Sequence, residues 1–138
     1  MCQHVRYEFA GGLPPLVNCH CRFCRRAHGA AFATIAWVPR SRLRFTAGEE
    51  AVQRYGGRQG FRYFCGKCGT RLFNGSASND GFASLIVATL DEEPERGPAM
   101  HINLESKAAW FEIHDDLPQH PTLPPEIQRA IEEMRRRE

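Results

Sequence analysis

Two tight clusters of cysteine constrain this chain more than any other feature of its sequence. Five of the six cysteines belong to them and Cys2 stands apart; the clusters are Cys19, Cys21 and Cys24, and Cys65 and Cys68. Cysteines two or three residues apart can turn their sulfurs toward one point, as a soft divalent metal requires. A disulfide framework needs an oxidising compartment, and residues 1–10 lack the apolar run of a signal peptide. The spacing therefore predicts zinc binding in a cytoplasmic protein.

The later cluster has the outline of a zinc knuckle. Residues 64–73 resemble a strand that enters a Cys-x-x-Cys turn and a strand that leaves it. Gly66 and Gly69 suit such a turn, because glycine accepts positive φ and lets backbone N–H groups approach the sulfurs. A redox Cys-x-x-Cys is the competing interpretation, but that motif usually begins a helix, whereas strand-like residues flank this one.

The earlier cluster places three thiols within residues 19–24, with no fourth cysteine nearby. Structural zinc normally takes four protein ligands, whereas catalytic zinc keeps three and leaves a position for water or substrate. The pattern favours an open site, in which a substrate sulfur can bind as the thiolate nucleophile. Under the alternative interpretation, His20 or a distant histidine closes a structural site.

The rest of the chain is typical of one small, mainly antiparallel β domain. Its 138 residues are 42% hydrophobic and 25% charged, which fits a single folded unit. Runs of β-branched and aromatic residues between glycines and prolines predict strands at 5–9, 32–38, 43–45, 61–64, 82–90, 100–105 and 110–113. Helical patterns are limited to a short turn at 24–28 and an amphipathic helix at 125–137, and 91–98 and 115–125 are predicted loops.

Charge and hydropathy narrow the classes of partner. The formal net charge of +2 is too balanced to indicate nucleic acid or an anionic membrane surface as the main partner. No apolar run approaches the roughly 18 residues that span a bilayer. Charge alone therefore indicates no polymer ligand.

Five motifs, in order along the chain, resemble the glutathione-dependent formaldehyde-activating enzyme family, whose domain also occurs in centromere protein V. They occupy residues 2–7, 18–25, 29–33, 64–73 and 101–110. The resemblance extends to about residue 121. It implies a zinc-stabilised β-tent of antiparallel sheets at 1–121, followed by a tail with an amphipathic helix at 122–138.

The resemblance also implies roles for all six cysteines. In the family, an N-terminal Cys-x-Cys and the later Cys-x-x-Cys hold a structural zinc, so Cys65 and Cys68 would hold it with Cys2. The catalytic triplet would hold a second, more labile zinc; it comprises Cys19, Cys21 and Cys24. The implied activity is formation or cleavage of a carbon–sulfur bond at a thiol adduct, typified by joining formaldehyde to glutathione.

The N-terminal motif departs from the family pattern. The family's Cys-x-Cys-Gly becomes Met1-Cys2-Gln3 here, so that the partner cysteine would fall before Met1. The structural site is thus one ligand short. An upstream start of the chain, His4, a water molecule or weak binding are the open explanations.

Three further residues are expected to lie close to the metal-binding cysteines. Arg25 and Arg26 follow Cys24 directly, and their guanidinium groups match the carboxylates of a glutathione-like thiol, so both are predicted to bind substrate. An exposed helix face is the alternative interpretation for this pair. His101 is expected to be a hydrogen-bonded core histidine close to the metal region.

Two hypotheses of function follow. In the first, the protein is a zinc-dependent carbon–sulfur lyase that acts on a small aldehyde–thiol adduct such as S-hydroxymethylglutathione, with glutathione or its adduct as partner. In the second, it is a non-enzymatic module in which both zinc ions are structural and the surface binds a protein. An open coordination position at the triplet distinguishes the first from the second.

Overall fold

Within the described residues, which are 1–57, 60–76 and 81–137, the computed structural model contains nine strands and two α-helices. The strands are β1 (Arg6–Phe9), β2 (Val17–Cys19), β3 (Ala33–Pro39), β4 (Leu43–Ala47), β5 (Val52–Gly57), β6 (Gly60–Cys65), β7 (Arg71–Gly75), β8 (Phe82–Ile86) and β9 (Met100–Ile102). The helices are α1 (Arg22–His28) and α2 (Pro125–Arg137). The predicted mainly β fold with a C-terminal helix is confirmed.

Seven strands form one sheet in the order β5-β6-β7-β8-β3-β2-β9, and β1 pairs with β4 in a second sheet. Neighbouring strands are antiparallel except for β2 and β9, which are parallel. This parallel pair places Cys19, at the end of β2, opposite Ile102. The sheet therefore brings the triplet of cysteines beside residues 101–103, which lie far away in sequence.

A cluster of buried apolar residues surrounds β2. Val17, Ile35, Ile86 and Ile102 are at most 5% exposed and pack together with Cys19. Burying an aliphatic side chain of this size contributes about 1.5–3 kcal/mol. The first cysteine of the triplet thus belongs to a well-packed part of the core rather than to a loose surface loop.

Helix α2 packs against β3 and β8. Its predicted apolar stripe is present: Ile131 is buried, and Ile127 and Met134 are partly buried. The Arg135 guanidinium lies 4.9 Å from the centre of the Phe82 ring. None of the helices in the described part of the chain is both long and apolar enough to cross a membrane.

The prediction of a strand at 110–113 is wrong. Instead the backbone turns there, and the Phe111 N–H donates to the Ala108 carbonyl at 3.1 Å. Lys107 Nζ donates to the carbonyls of both Ala108 and Phe111, so these oxygens need no strand partner. The apolar pattern has another cause, since Phe111 packs against Phe32 with ring centres 5.5 Å apart while Trp110 stays exposed.

Other strand boundaries differ from the prediction. The predicted strands at 82–90 and 100–105 end early, at Ile86 and Ile102, and tight 3-10 turns follow each. Asn103 ends the second because its backbone adopts a left-handed conformation with φ 59°. Strands β2 and β5 were not predicted, since β2 has only three residues and β5 carries exposed polar side chains that mask a periodic pattern.

Candidate metal centres

The six cysteines are free thiols that form two groups of three. Within each group the three sulfurs lie within 4.8 Å of one another, and the two groups are Cys2, Cys65 and Cys68, and Cys19, Cys21 and Cys24. Among the described residues, no histidine, aspartate or glutamate ligand atom joins either group at that distance. Both groups can therefore hold a metal ion through three sulfurs. Ligand number alone does not separate a structural site from an open one.

The spacing of the sulfurs in the knuckle group suits zinc. Cys2 Sγ and Cys65 Sγ are 3.7 Å apart. Two thiolates on a tetrahedral zinc ion, each with a Zn–S bond of about 2.3 Å, would be separated by about 3.8 Å. A set of soft thiolate donors at this distance fits zinc better than a hard cation such as magnesium.

Backbone hydrogen bonds and two glycines shape the knuckle turn between β6 and β7. The Cys65 N–H donates to the Thr70 carbonyl at 2.9 Å, and the Gly69 N–H donates back to the Cys65 carbonyl at 2.8 Å. Gly69 has φ +74°, which favours glycine, and a Cβ on Gly66 would lie 2.9 Å from the Ala51 carbonyl oxygen. Gly69 thus meets the predicted need for positive φ. Gly66 is required for a different reason, because its N–H donates to the Ala51 carbonyl at 2.8 Å and the close approach leaves no room for a side chain.

Hydrogen bonds around the knuckle favour the ionised form of one ligand. The Thr70 hydroxyl lies 3.2 Å from Cys68 Sγ. This hydroxyl and the Thr70 backbone N–H, with further bonds involving Cys2, lower the pKa of Cys68 to about 6. A sulfur that ionises readily is prepared for metal binding.

The N-terminal segment brings Cys2 to the knuckle. Gln3, which stands where the family has glycine, adopts φ 59°, the left-handed conformation that glycine prefers. His4 does not join the three sulfurs; its Nε2 lies 3.6 Å from the Glu50 carboxylate. The structure therefore does not support His4 as a fourth ligand.

The triplet group lies at the junction of β2 and α1. Cys19 ends β2 and is buried, while Cys21 is the N-cap of α1 and its sulfur accepts a hydrogen bond from the Cys24 N–H at 3.4 Å. A cap at this position satisfies one of the free N–H groups that begin every helix. The short helix then returns Cys24 to the other two sulfurs.

Cys21 is the first thiol of the triplet to ionise. Hydrogen bonds from the Cys19 and Cys24 thiols, and from the backbone N–H groups of Cys24 and Phe23, lower the pKa of Cys21 well below that of a free thiol. The same sharing of protons raises the pKa of Cys19 and of Cys24. The group thus holds its first negative charge on the helix cap, where the helix dipole also favours it.

Asn103, which follows the edge strand β9, contacts the triplet on the neighbouring strand β2. Its Nδ2 lies 3.4 Å from Cys19 Sγ, where it donates to the sulfur. The left-handed backbone of Asn103 costs about 1 kcal/mol for most residues and less for asparagine. No signal in the sequence singled out this residue, because its partner lies 84 positions away.

His20 does not close the triplet site. Its side chain is fully buried and its Nε2 lies 2.8 Å from His101 Nδ1, while His101 Nε2 is 3.1 Å from both Asp115 carboxylate oxygens. The Leu117 N–H, together with His101, lowers the pKa of the Asp115 carboxyl, which is therefore ionised and accepts the His101 proton. The expected hydrogen-bonded role of His101 in the core is thus observed.

The two rings and the carboxylate form one line of hydrogen bonds, in which His101 lies between His20 Nε2 and Asp115. The other ring nitrogen of His20, Nδ1, is buried and has no partner among the described residues. Burial, followed by the charges of His101, Lys107 and Arg25, lowers the pKa of His20 to about 4, so the ring is neutral near pH 7.

We expect replacement of His101 by phenylalanine to lower the free energy of unfolding by about 1–3 kcal/mol, because it leaves His20 Nε2 buried without a partner. Urea unfolding followed by circular dichroism measures the loss. Asp115→Asn is the matched control and should lose less, since that side chain is 49% exposed. Equal stability of His101→Phe and wild type would contradict the assigned hydrogen bonds.

The two arginines predicted to bind substrate occupy different environments. Arg25 Nη1 donates to the Ser106 carbonyl at 2.6 Å, which ties α1 to the segment after β9. Arg26 is exposed on α1. The structure thus gives Arg25 a structural contact and leaves the predicted substrate role of both residues untested.

A cleft of about 950 Å³ lies away from both cysteine groups, between β1, the segment 11–16 and the loop 89–97, and no cysteine lines it. Its rim carries the Arg6–Asp91 ion pair and several exposed carboxylates. Size alone therefore does not identify the chemical site in this fold, and the cysteine groups are the better guide.

A mainly β fold with two groups of three thiols defines a class of small cysteine-rich domain suited to binding metal. The model of the family described as "glutathione-dependent formaldehyde-activating enzyme" matches residues 1–106. The chain belongs to this family, and the resemblance drawn from its motifs is confirmed.

Comparison with solved structures gives a related fold. A crystal structure of a Rhodobacter sphaeroides protein is 30% identical in sequence and superposes with a TM-score of 0.51, covering 67% of this chain and 83% of that one. No curated protein matches the chain at a significant level. The fold is thus shared with a known structure.

Proposed function

We propose that the protein is a zinc-dependent carbon–sulfur lyase that acts on a small aldehyde–thiol adduct such as S-hydroxymethylglutathione. The observation that carries the proposal is the triplet group, in which three sulfurs converge without a fourth protein ligand among the described residues. The knuckle group has the same number of ligands, so the family resemblance, and not ligand number, assigns the catalytic role to the triplet. Membership of the formaldehyde-activating family supports the choice of thiol and aldehyde. When bound at this group, zinc would keep a substrate sulfur ionised near neutral pH.

The chain's own residues have distinct parts in this proposal. Cys19, Cys21 and Cys24 supply the three ligands. Cys21 offers the first thiolate because the Cys19 and Cys24 thiols, and then backbone N–H groups at the start of α1, donate to its sulfur. Asn103 orients Cys19 and partly offsets its negative charge through the N–H···S contact. The buried rings of His20 and His101, joined to the Asp115 carboxylate, fix the segment between Cys19 and Cys21 in place.

The reaction itself balances simply. In the cleavage direction the carbon–sulfur bond of the hydroxymethyl adduct breaks and its electron pair goes to sulfur. The hydroxyl proton leaves to solvent as the carbonyl of the aldehyde forms. Formation of the adduct is the reverse, with the thiolate attacking the aldehyde carbon.

The second group has a structural role in the same proposal. Cys2, Cys65 and Cys68 would hold a zinc ion that joins the N-terminal segment to the knuckle turn. We place the protein in the cytoplasm, where thiols stay reduced and glutathione is abundant. Residues 1–121 would form the catalytic domain and 122–138 its helical tail.

We expect the zinc-loaded protein to accelerate the exchange between glutathione, formaldehyde and S-hydroxymethylglutathione. Exchange NMR on a mixture of the three compounds measures the rate directly, with buffer and heat-unfolded protein as controls. Cysteine and cysteamine, tested in place of glutathione, report on the choice of thiol. Absence of acceleration with every thiol would favour the non-enzymatic, protein-binding module instead.

A further inference from the structure

One face of the β6–β7 hairpin carries two arginines beside the triplet group. In the register of these strands Arg62 pairs with Asn74, and Phe64 pairs with Arg71. Residues 62 and 64 point to the same face of β6, and a register shift in the hairpin brings Arg71 to that face as well. The contact between Arg71 Nη2 and Asn74 Oδ1, at 2.8 Å, agrees with this placement.

Helix α1 lies over this face. The Arg62 guanidinium is 5.9 Å from the centre of the Phe23 ring, and Phe23 is the residue before Cys24. Arg71 interacts electrostatically with Cys24 itself. His28, in the last turn of α1, interacts with both arginines. The charges of the two guanidinium groups thus act on His28, and Arg62 lies against the residue that precedes Cys24.

Within the described residues, no carboxylate pairs with this cluster. Arg6 and Arg44 each pair with a carboxylate elsewhere in the fold. In contrast, no ion pair involves Arg62 or Arg71 in the parts of the chain that the structure describes. Like charges held together without a counter-charge are unfavourable, and the cost rises with burial.

Two polar atoms in the cluster are also buried without a partner among the described residues. They are Arg71 Nε and His28 Nε2, and both are shielded from solvent. Buried donors without acceptors are rare in folded proteins and indicate a missing partner. Burial, followed by the charges of Arg71 and Arg62, lowers the pKa of His28, which agrees with a strongly positive surrounding.

We propose that Arg62 and Arg71, with His28 behind them, form the site that binds a carboxylate of the thiol substrate. A carboxylate accepts two parallel hydrogen bonds from a guanidinium group and would neutralise the paired positive charges. Because the arginines adjoin Cys24, a peptide-like thiol such as glutathione would reach both sites at once. This inference rests on the proposed function and replaces Arg25 and Arg26 as the main anchors.

The test uses S-methylglutathione, whose blocked sulfur cannot ligate a metal but whose carboxylates are intact. We expect calorimetric titration of the zinc-loaded wild type to detect binding, and Arg71→Gln and Arg62→Gln to weaken it about 10- to 100-fold. Arg71→Lys should retain part of the affinity, because the charge remains while the paired hydrogen bonds are lost. The diethyl ester of the same compound should bind wild type and variants equally weakly.

Two control variants sharpen the result. Arg54→Gln, on exposed β5, should bind as wild type does, since Arg54 lies over Phe61 away from the cluster. Arg26→Gln tests the competing anchor predicted from the sequence. The inference is overturned if Arg71→Gln binds as tightly as wild type, if Arg26→Gln alone loses affinity, or if wild type fails to bind.

The outcome is separable from that of the exchange assay. If S-methylglutathione binds through Arg62 and Arg71 but no thiol exchange is accelerated, the lyase proposal fails while the carboxylate site stands. If exchange is accelerated but Arg71→Gln binds S-methylglutathione as tightly as wild type, the carboxylate site fails while the lyase proposal stands. Far-ultraviolet circular dichroism and zinc content of each variant confirm that the fold is retained.

Discussion

Replacing Cys65 by serine is expected to unfold the protein at temperatures where wild type is stable. Cys65 is 2% exposed, lies at the end of β6 and shares its metal group with Cys2, 63 positions away. A structural zinc ion in a small domain supplies on the order of 10 kcal/mol of apparent binding energy. That energy is comparable to the whole stability of a typical domain, which is about 5–15 kcal/mol. Thermal melting followed by circular dichroism measures the effect.

A chelator distinguishes the effect of losing the metal from the effect of changing the side chain. Wild type stripped of metal should melt close to Cys65→Ser, because both then lack the same cross-link between the N-terminus and the knuckle. Added zinc should raise the melting temperature of wild type and leave that of the variant nearly unchanged. An equal response of both proteins to zinc would show that the knuckle group contributes no metal-linked stability.

Replacing Cys21 by serine is expected to abolish thiol exchange while leaving the protein folded. The chain has two three-cysteine groups, and this change removes the helix-capping ligand from one of them. Zinc content should fall from two ions per chain to one, since the knuckle group is untouched. Elemental analysis and the exchange assay measure the two effects.

Serine and alanine at this position form a matched pair. Serine keeps an oxygen that can cap α1, whereas Cys21→Ala removes the cap and should cost about 1 kcal/mol more in stability. Both should lose the second zinc and the exchange activity to the same extent. Activity retained in either variant would place the chemistry outside the triplet.

The parts of the site that are local in sequence could be predicted. Cys65 and Cys68 share one turn, and the triplet occupies a single strand-to-helix junction, so their spacing alone brings the sulfurs together. Cys2 could be assigned to the knuckle group only through the family resemblance, because nothing in the sequence around Cys2 points to residues 65 and 68.

The parts that depend on strand order could not be predicted. Asn103 reaches Cys19, and His101 reaches His20, only because β9 lies parallel to β2. Arg71 lies beside α1 because of a register shift in the hairpin, which no periodic pattern of single residues reveals. Short strands give too few residues to establish a period, and this limit explains why β2 was missed.

The parallel pairing of β2 with β9 has a consequence for how the chain matures. His20 and His101 are 81 positions apart, so the histidine contact closes a long loop. The three thiols of the triplet, in contrast, lie within six residues of sequence and leave the ribosome together. This arrangement allows the triplet to capture metal on a growing chain before the strand that carries His101 has been synthesised.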